Sequence, residues 1–133
     1  MRKLRGIIFM LLISLSLFGI TACQNGADEP ITYEQITAED AKIIMDTEKD
    51  YIIIDARTDE EFAEGHIEGA IMIPEYEIKD RAEKELPDKD ALILVYCRSG
   101  RRSKIASEEL VKLGYTNVKE FGGIIDWPYE TVK

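Results

Sequence analysis

The chain has 133 residues, of which 17 are Lys or Arg and 26 are Asp or Glu, giving a formal net charge of -9. This length accommodates one ordinary domain and excludes two independent cores. The acidic balance argues against nucleic acid and anionic lipid headgroups as partners of the folded part.

Residues 1–22 predict a targeting segment that is removed before the protein acts. Arg2, Lys3 and Arg5 precede an apolar run over residues 7–19, which is the order found in secretory signals. The run is shorter than the roughly 20 residues that a membrane-spanning helix needs. The pattern therefore favours a processed signal peptide over a permanent transmembrane anchor.

The residues that close this segment resemble the lipobox of bacterial lipoproteins; they are Ile20, Thr21, Ala22 and Cys23. The resemblance implies lipidation of Cys23 and attachment to a bacterial membrane, with the domain outside the cytoplasm. The alternative is a secreted protein cleaved nearby, which also lies outside the cytoplasm. Residues 23–30 are small or polar apart from one proline, and they predict a tether between the lipid and the domain.

Residues 31–133 predict one α/β domain, because helix signals alternate with strand signals. The helix signals cover residues 38–46, 58–65, 78–86 and 102–113, with a short helical turn at 124–129. The strand signals cover residues 51–54, 70–73, 91–96 and 118–121. Two capping boxes, Thr37 with Asp40 and Thr58 with Glu61, mark the first two helix starts. The unbroken apolar runs at 51–54 and 91–96 are typical of parallel strands buried on both faces.

The two cysteines of the chain have different predicted fates. In an oxidising compartment Cys23 and Cys97 would invite a disulfide, but lipidation of Cys23 removes that option. Cys97 then becomes the lone thiol and a candidate reactive residue. An inert buried cysteine is the alternative.

Cys97 opens a loop that follows the second long apolar strand. Binding sites of parallel sheets lie at this end of the strands. Backbone N–H groups of such a loop, together with the start of the next helix, stabilise an anion. Arg98, Arg101 and Arg102 add positive charge, and the combination favours the nucleophilic thiolate form of Cys97. The alternative, a solvated basic cluster, is disfavoured in so acidic a chain.

Four blocks, in order, resemble the single-domain rhodanese family from about residue 31 to the C-terminus. They are Asp55-Ala56-Arg57; Glu61, Phe62, Gly65, His66, Ile67, Gly69, Ala70 and Pro74; Cys97 to Ser103; and Gly122, Gly123 and Trp127. The resemblance implies a mainly parallel central sheet with helices on both faces. It also implies a sulfurtransferase in which Cys97 carries the transferred sulfur as a persulfide.

The resemblance further implies the reactants and the roles of the loop residues. The donor would be a small anion such as thiosulfate, polysulfide or a persulfide, and the acceptor a thiol, cyanide or a protein, without a metal or organic cofactor. The residues expected to hold the donor and the persulfide are Arg98, Ser99, Gly100, Arg101, Arg102 and Ser103. Among them, Arg102 is expected to close the cradle and Arg98 to face the donor. Asp55 and Arg57 are expected to support neighbouring loops, and His66 to be structural.

Two other functions use a cysteine in a similar loop. Phosphatases that share this fold place an arginine six residues after the cysteine, where this chain has Ser103, so the loop length disfavours phosphatase activity. A persulfide carrier or redox-partner module that does not turn over uses the same loop, and the sequence does not separate it from an enzyme. The many acidic residues are interpreted as a solvated surface.

Overall fold

The computed structural model describes residue 30 and residues 32–133. The predicted signal peptide, Cys23 and nearly all of the tether lie outside these residues. The α-helices of the described part are α1 Ala38–Thr47, α2 Asp59–Glu64, α3 Ile78–Glu85 and α4 Arg101–Lys112. The strands there are β1 Glu34–Gln35, β2 Ile52–Asp55, β3 Ile71–Met72, β4 Ile93–Cys97 and β5 Val118–Gly123. Short 3₁₀ turns span Glu75–Glu77 and Ile124–Asp126.

The strands form one sheet in the order β1-β5-β4-β2-β3, and every neighbouring pair is parallel. All five residues of β4 are buried, as expected for a central strand covered on both faces. Val95 and Cys97 pack with residues of α3 and α4 on one face, while Leu94 and Tyr96 pack with Ala41 of α1 on the other. The predicted class, a parallel α/β sheet flanked by helices, is therefore confirmed.

Both predicted capping boxes are present. The Thr37 hydroxyl accepts a hydrogen bond from the Asp40 N–H at 3.0 Å, and the Asp40 carboxylate accepts one from the Thr37 N–H. Thr58 and Glu61 repeat the arrangement at the start of α2. Each pair satisfies two N–H groups that a helix terminus would otherwise leave unpaired.

The structure differs from the predicted elements mainly at the edges of the sheet. No apolar pattern predicts β1, because both of its residues are polar; both are exposed in the structure. It is held by backbone pairing with β5, at Glu34 with Lys119 and Gln35 with Glu120. In residues 32–133, no helix combines the length and the apolar character needed to cross a bilayer.

A buried ion pair fixes the end of β2 next to β4. The Arg57 guanidinium donates to both Asp55 carboxylate oxygens, at 2.7 Å from Nη2 to Oδ2. Arg57 also donates to the Gly65 carbonyl at 2.6 Å, which ties β2 to the end of α2. The Tyr96 hydroxyl donates to Asp55 Oδ2 at 2.7 Å and accepts from the Ile67 N–H at 3.1 Å. Burial and the nearby Asp55 charge raise the pKa of Tyr96 above its usual range.

This network predicts a stability cost for the Tyr96→Phe substitution. Removing the hydroxyl leaves the buried Ile67 N–H without its acceptor and Asp55 without one donor, which costs about 1–3 kcal/mol. We expect the midpoint of urea unfolding to fall accordingly. Tyr76→Phe is the matched control, because Tyr76 is 67% exposed and should tolerate the same change. Equal stability of the two variants would contradict the role given to the Tyr96 hydroxyl.

Candidate active site

The reactive loop lies at the junction between β4 and α4. β4 ends at Cys97, and α4 begins at Arg101, one residue earlier than predicted. Gly100, the residue before α4, has a φ of +101°, a left-handed conformation that glycine adopts without steric cost. This turn brings the Gly100 N–H within 3.0 Å of the Cys97 sulfur, to which it donates.

The Cys97 side chain is 1% exposed, but its sulfur faces polar groups. The Ser103 hydroxyl lies 3.4 Å from Sγ, and Ser103 is buried in the first turn of α4. The first N–H groups of a helix have no partner within the helix and carry partial positive charge. A sulfur anion at this position is therefore stabilised by the Gly100 N–H and by the start of α4.

Gly123 allows β5 to approach this loop closely. A Cβ atom at Gly123 would lie 2.0 Å from the Arg98 carbonyl oxygen and 2.5 Å from the Ser99 nitrogen. The φ of Gly123 is -128°, which any residue adopts, so the lack of a side chain is what matters here. The Ile125 N–H donates to the same Arg98 carbonyl at 3.2 Å. The Gly122-Gly123 segment thus holds the reactive loop from the side of β5.

The three arginines of the loop have different environments. Arg98 and Arg101 are exposed, so their charges face solvent at the loop. Arg102 is partly buried and donates two hydrogen bonds to the Glu61 carboxylate, at 2.7 and 2.8 Å. The hydrogen bond from Arg102 lowers the pKa of Glu61 to about 2. Arg102 therefore ties α4 to α2 in this structure, and its contact with a donor stays a prediction.

Ser103 leads to a buried acidic residue that the sequence did not single out. The Ser103 hydroxyl lies 2.6 Å from Glu120 Oε1, and this carboxylate oxygen also accepts a hydrogen bond from the Gly122 N–H at 2.8 Å. Glu120 is 3% exposed, so the interpretation of the acidic residues as a solvated surface is wrong for this residue. The alternation along β5 was an available signal, since Glu120 shares the inward face with Val118.

The remaining candidate residues lie around this centre. Ser99 is exposed at the rim of the loop. Asp55 and Arg57 form their ion pair at the end of β2, beside the strand that carries Cys97. His66 stacks on Phe62 and pairs through its backbone with Val132. The structure thus brings Cys97, Gly100 and Ser103 into contact and leaves Arg98, Ser99 and Arg101 of the same loop exposed to solvent.

Comparisons with known proteins agree on one family. The profile of the rhodanese-like domain matches residues 37–128. Thiosulfate sulfurtransferase PspE of Escherichia coli K12 is 42% identical over 80 residues, which are 60% of this chain and 77% of that protein. A sulfurtransferase of Allochromatium vinosum is 42% identical over 85 residues, covering 63% of this chain and 77% of the relative. A solved structure described as a rhodanese with anions from E. coli is 41% identical with a TM-score of 0.59, covering 62% of this chain and 98% of that one.

The close approach at Gly123 predicts that Gly123→Ala destabilises the protein. The added methyl group meets backbone atoms that cannot rotate away, and overpacking of this kind costs about 1–3 kcal/mol or more. We also expect faster hydrogen exchange at the Ile125 N–H, because its acceptor on Arg98 must move. Urea unfolding and amide exchange measure the two effects.

Gly69→Ala is the control for this substitution. Gly69 has a φ of +81° and nothing within 4 Å of an added Cβ, so alanine there brings backbone strain of about 1–2 kcal/mol without a clash. Amide exchange at Ile125 should stay as in the wild type. A Gly123→Ala protein with wild-type stability and exchange would show that the loop does not depend on this contact.

Proposed function

The chain belongs to the rhodanese-like family and is a rhodanese-type sulfurtransferase, and from this premise we propose that Cys97 takes sulfane sulfur from a small anionic donor outside the cytoplasm. The observation that carries the proposal is the position of the Cys97 sulfur, 3.0 Å from the Gly100 N–H at the start of α4. That position stabilises negative charge on the sulfur that attacks the donor.

The proposed reaction consists of two nucleophilic substitutions. The Cys97 thiolate attacks the outer sulfur of thiosulfate, a new S–S bond forms, and the donor S–S bond breaks as sulfite leaves with its electron pair. With polysulfide or a persulfide as donor, the leaving group is a shorter polysulfide or a thiolate. A thiolate or cyanide then attacks the outer sulfur of the persulfide, the S–S bond to Cys97 breaks, and Cys97 leaves as the thiolate. The product is a new persulfide or thiocyanate. Atoms and electrons balance without an external oxidant or reductant.

The charges around the loop support an anionic donor. Arg98 and Arg101 are exposed beside Cys97, in a chain whose acidic residues outnumber its basic ones by 26 to 17. This local positive field raises the concentration of small anions at the loop. The N–H groups of the loop would then hold the transferred sulfur, much as an oxyanion hole holds developing charge.

The proposed acceptor is a small thiol, cyanide or a protein thiol. The two relatives named as sulfurtransferases support transfer of sulfur to an acceptor. A Bacillus subtilis relative, 31% identical over 109 residues and named a putative sulfur carrier protein, supports the carrier alternative. Ser99 and the two exposed arginines form the accessible rim at which an acceptor would meet Cys97.

We further propose that the domain is attached to a bacterial membrane through lipid on Cys23. The support is the order of charged, apolar and small residues in the first 23 positions, which is typical of lipoprotein signals. Residues 24–30 would then separate the domain from the bilayer surface. Attachment by lipid rather than by the acidic domain itself fits the charge of the chain, since anionic headgroups repel acidic surfaces.

The reaction predicts one added sulfur atom on Cys97. After incubation of the full chain with thiosulfate or polysulfide, we expect mass spectrometry to find the mass of one extra sulfur on the peptide that contains Cys97. Cys97→Ser is the matched control, because its hydroxyl cannot form a persulfide. An unmodified Cys97 with every donor would contradict the proposal. A persulfide without repeated release of sulfite would indicate the carrier alternative.

The anchor predicts that Cys23→Ala releases the protein from the membrane fraction and abolishes its labelling by a radioactive fatty acid. Gln24→Ala is the control, because it leaves the four lipobox residues in place. Fractionation and labelling of expressing cells measure both effects. Continued acylation of the Cys23→Ala protein would refute the proposed lipobox, while the reaction at Cys97 would be unaffected by that result.

A further inference from the structure

A carboxylate is buried behind the reactive sulfur and has no part in the two substitutions. Glu120 is 3% exposed, lies on β5 beside Val95 of β4, and points its Oε1 atom at Ser103. Burial of a carboxylate costs free energy unless hydrogen bonds compensate it. Its placement one hydroxyl away from Cys97 therefore suggests a role in the chemistry of that sulfur.

The Ser103 hydroxyl has one proton and several possible partners. The possible acceptors of this proton are Glu120 Oε1 at 2.6 Å, the Gly100 carbonyl at 3.0 Å and the Gly122 carbonyl at 3.3 Å. The short distance and the charge favour Glu120 as the acceptor. The lone pairs of Ser103 Oγ then remain for the Cys97 thiol, whose sulfur lies 3.4 Å away. The three groups form a continuous chain from S–H through O–H to carboxylate.

We propose that Glu120 is a positioning residue that receives the proton of the Cys97 thiol through Ser103 before the sulfur attacks its donor. The S–H bond breaks and its electron pair stays on sulfur. The Ser103 oxygen takes that proton and passes its own proton to the Glu120 carboxylate. One negative charge moves from the carboxylate to the sulfur, so the buried site gains no net charge. Ser103 then donates to the thiolate, as the Gly100 N–H already does.

This proton relay from Cys97 through Ser103 to Glu120 rests on the proposed function only for the following step, in which the thiolate attacks a sulfur donor. After transfer of the sulfur to an acceptor, Cys97 returns as a thiolate and the proton on Glu120 can return to it by the same path. Charged groups from other elements act on the same region: Arg102 of α4 is paired with Glu61 of α2, and Asp55 of β2 is paired with Arg57. A Glu120→Gln substitution leaves both of these pairs in place.

A fixed charge at Glu120 is the competing explanation, and it predicts the opposite effect. A carboxylate that keeps its charge disfavours a second negative charge on the nearby sulfur. Its removal would then increase the reactivity of Cys97. If Glu120 instead accepts the thiol proton, its removal decreases that reactivity. Glu120→Gln separates the two, because it is close in shape and its amide oxygen can still accept the Ser103 and Gly122 hydrogen bonds.

The experiment measures the rate at which iodoacetamide alkylates Cys97 in the full chain, as a function of pH. The mass of the peptide that contains Cys97 reports the alkylation. At neutral pH we expect Glu120→Gln to react at least about tenfold more slowly than the wild type, as for loss of a general base. The difference should shrink at alkaline pH, where hydroxide removes the proton directly. Glu108→Gln is the matched control, because it removes an exposed charge from α4 and should react as the wild type does.

Ser103→Ala interrupts the relay without removing the carboxylate. We expect a comparable loss, and a double variant no slower than the slower single variant, because residues that act in one path are not additive. Wild-type or faster alkylation of folded Glu120→Gln would overturn the relay, and so would multiplied losses in the double variant. If Glu120→Gln does not fold, as judged by thermal unfolding, then wild-type alkylation of Ser103→Ala overturns the relay on its own. Slower alkylation of the variants together with a wild type that takes up no sulfur would instead refute the proposed function and leave the relay standing.

Discussion

The hydrogen bond from the Gly100 N–H to the Cys97 sulfur depends on how three elements meet. β4 delivers Cys97 to the carboxyl edge of the sheet, α4 starts within four residues of it, and Gly100 takes the left-handed turn between them. β5 can hold this turn only because Gly123 has no side chain, since a Cβ there would lie 2.0 Å from the Arg98 carbonyl. The binding of anionic sulfur thus follows from backbone geometry, and the exposed arginines add attraction at longer range.

Basic and acidic residues both lie near the reactive loop, and they have different roles. In the loop that begins at Cys97, Arg98 and Arg101 are exposed to solvent, where they can attract an anion. Arg102 is held by Glu61, so it fixes the start of α4 relative to α2. Beneath Cys97, Ser103 and Glu120 form the buried chain for which we propose a proton-accepting role. A positive rim and a buried negative base are compatible because the proton transfer changes no net charge in the interior, where uncompensated charge is costly.

The sequence predicted the elements whose signals are local and missed the features that depend on distant residues. Short patterns predict both capping boxes, the buried parallel strands β2 and β4 and the anion-binding loop at Cys97, and the family resemblance predicts the sulfur-carrying role of Cys97. β1 was missed because two exposed polar residues carry no apolar pattern, although backbone pairing with β5 holds them. The pairing of Arg102 with Glu61 spans 41 positions of the chain, beyond the reach of any local pattern. Nothing local distinguishes Glu120 from the other acidic residues, which number 26 with it, because its burial depends on which face of β5 packs against α4.

The most direct test of the account is a crystal structure of the protein after exposure to thiosulfate. We expect one additional sulfur atom bonded to Cys97 Sγ and enclosed by the N–H groups of the loop, with the Gly100 N–H still directed at sulfur. The Gly122 N–H should still be directed at Glu120, because this contact lies on the buried side of the loop. An unmodified Cys97, or an added sulfur that points away from the loop N–H groups into the apolar core, would contradict the claim that these groups stabilise the transferred sulfur.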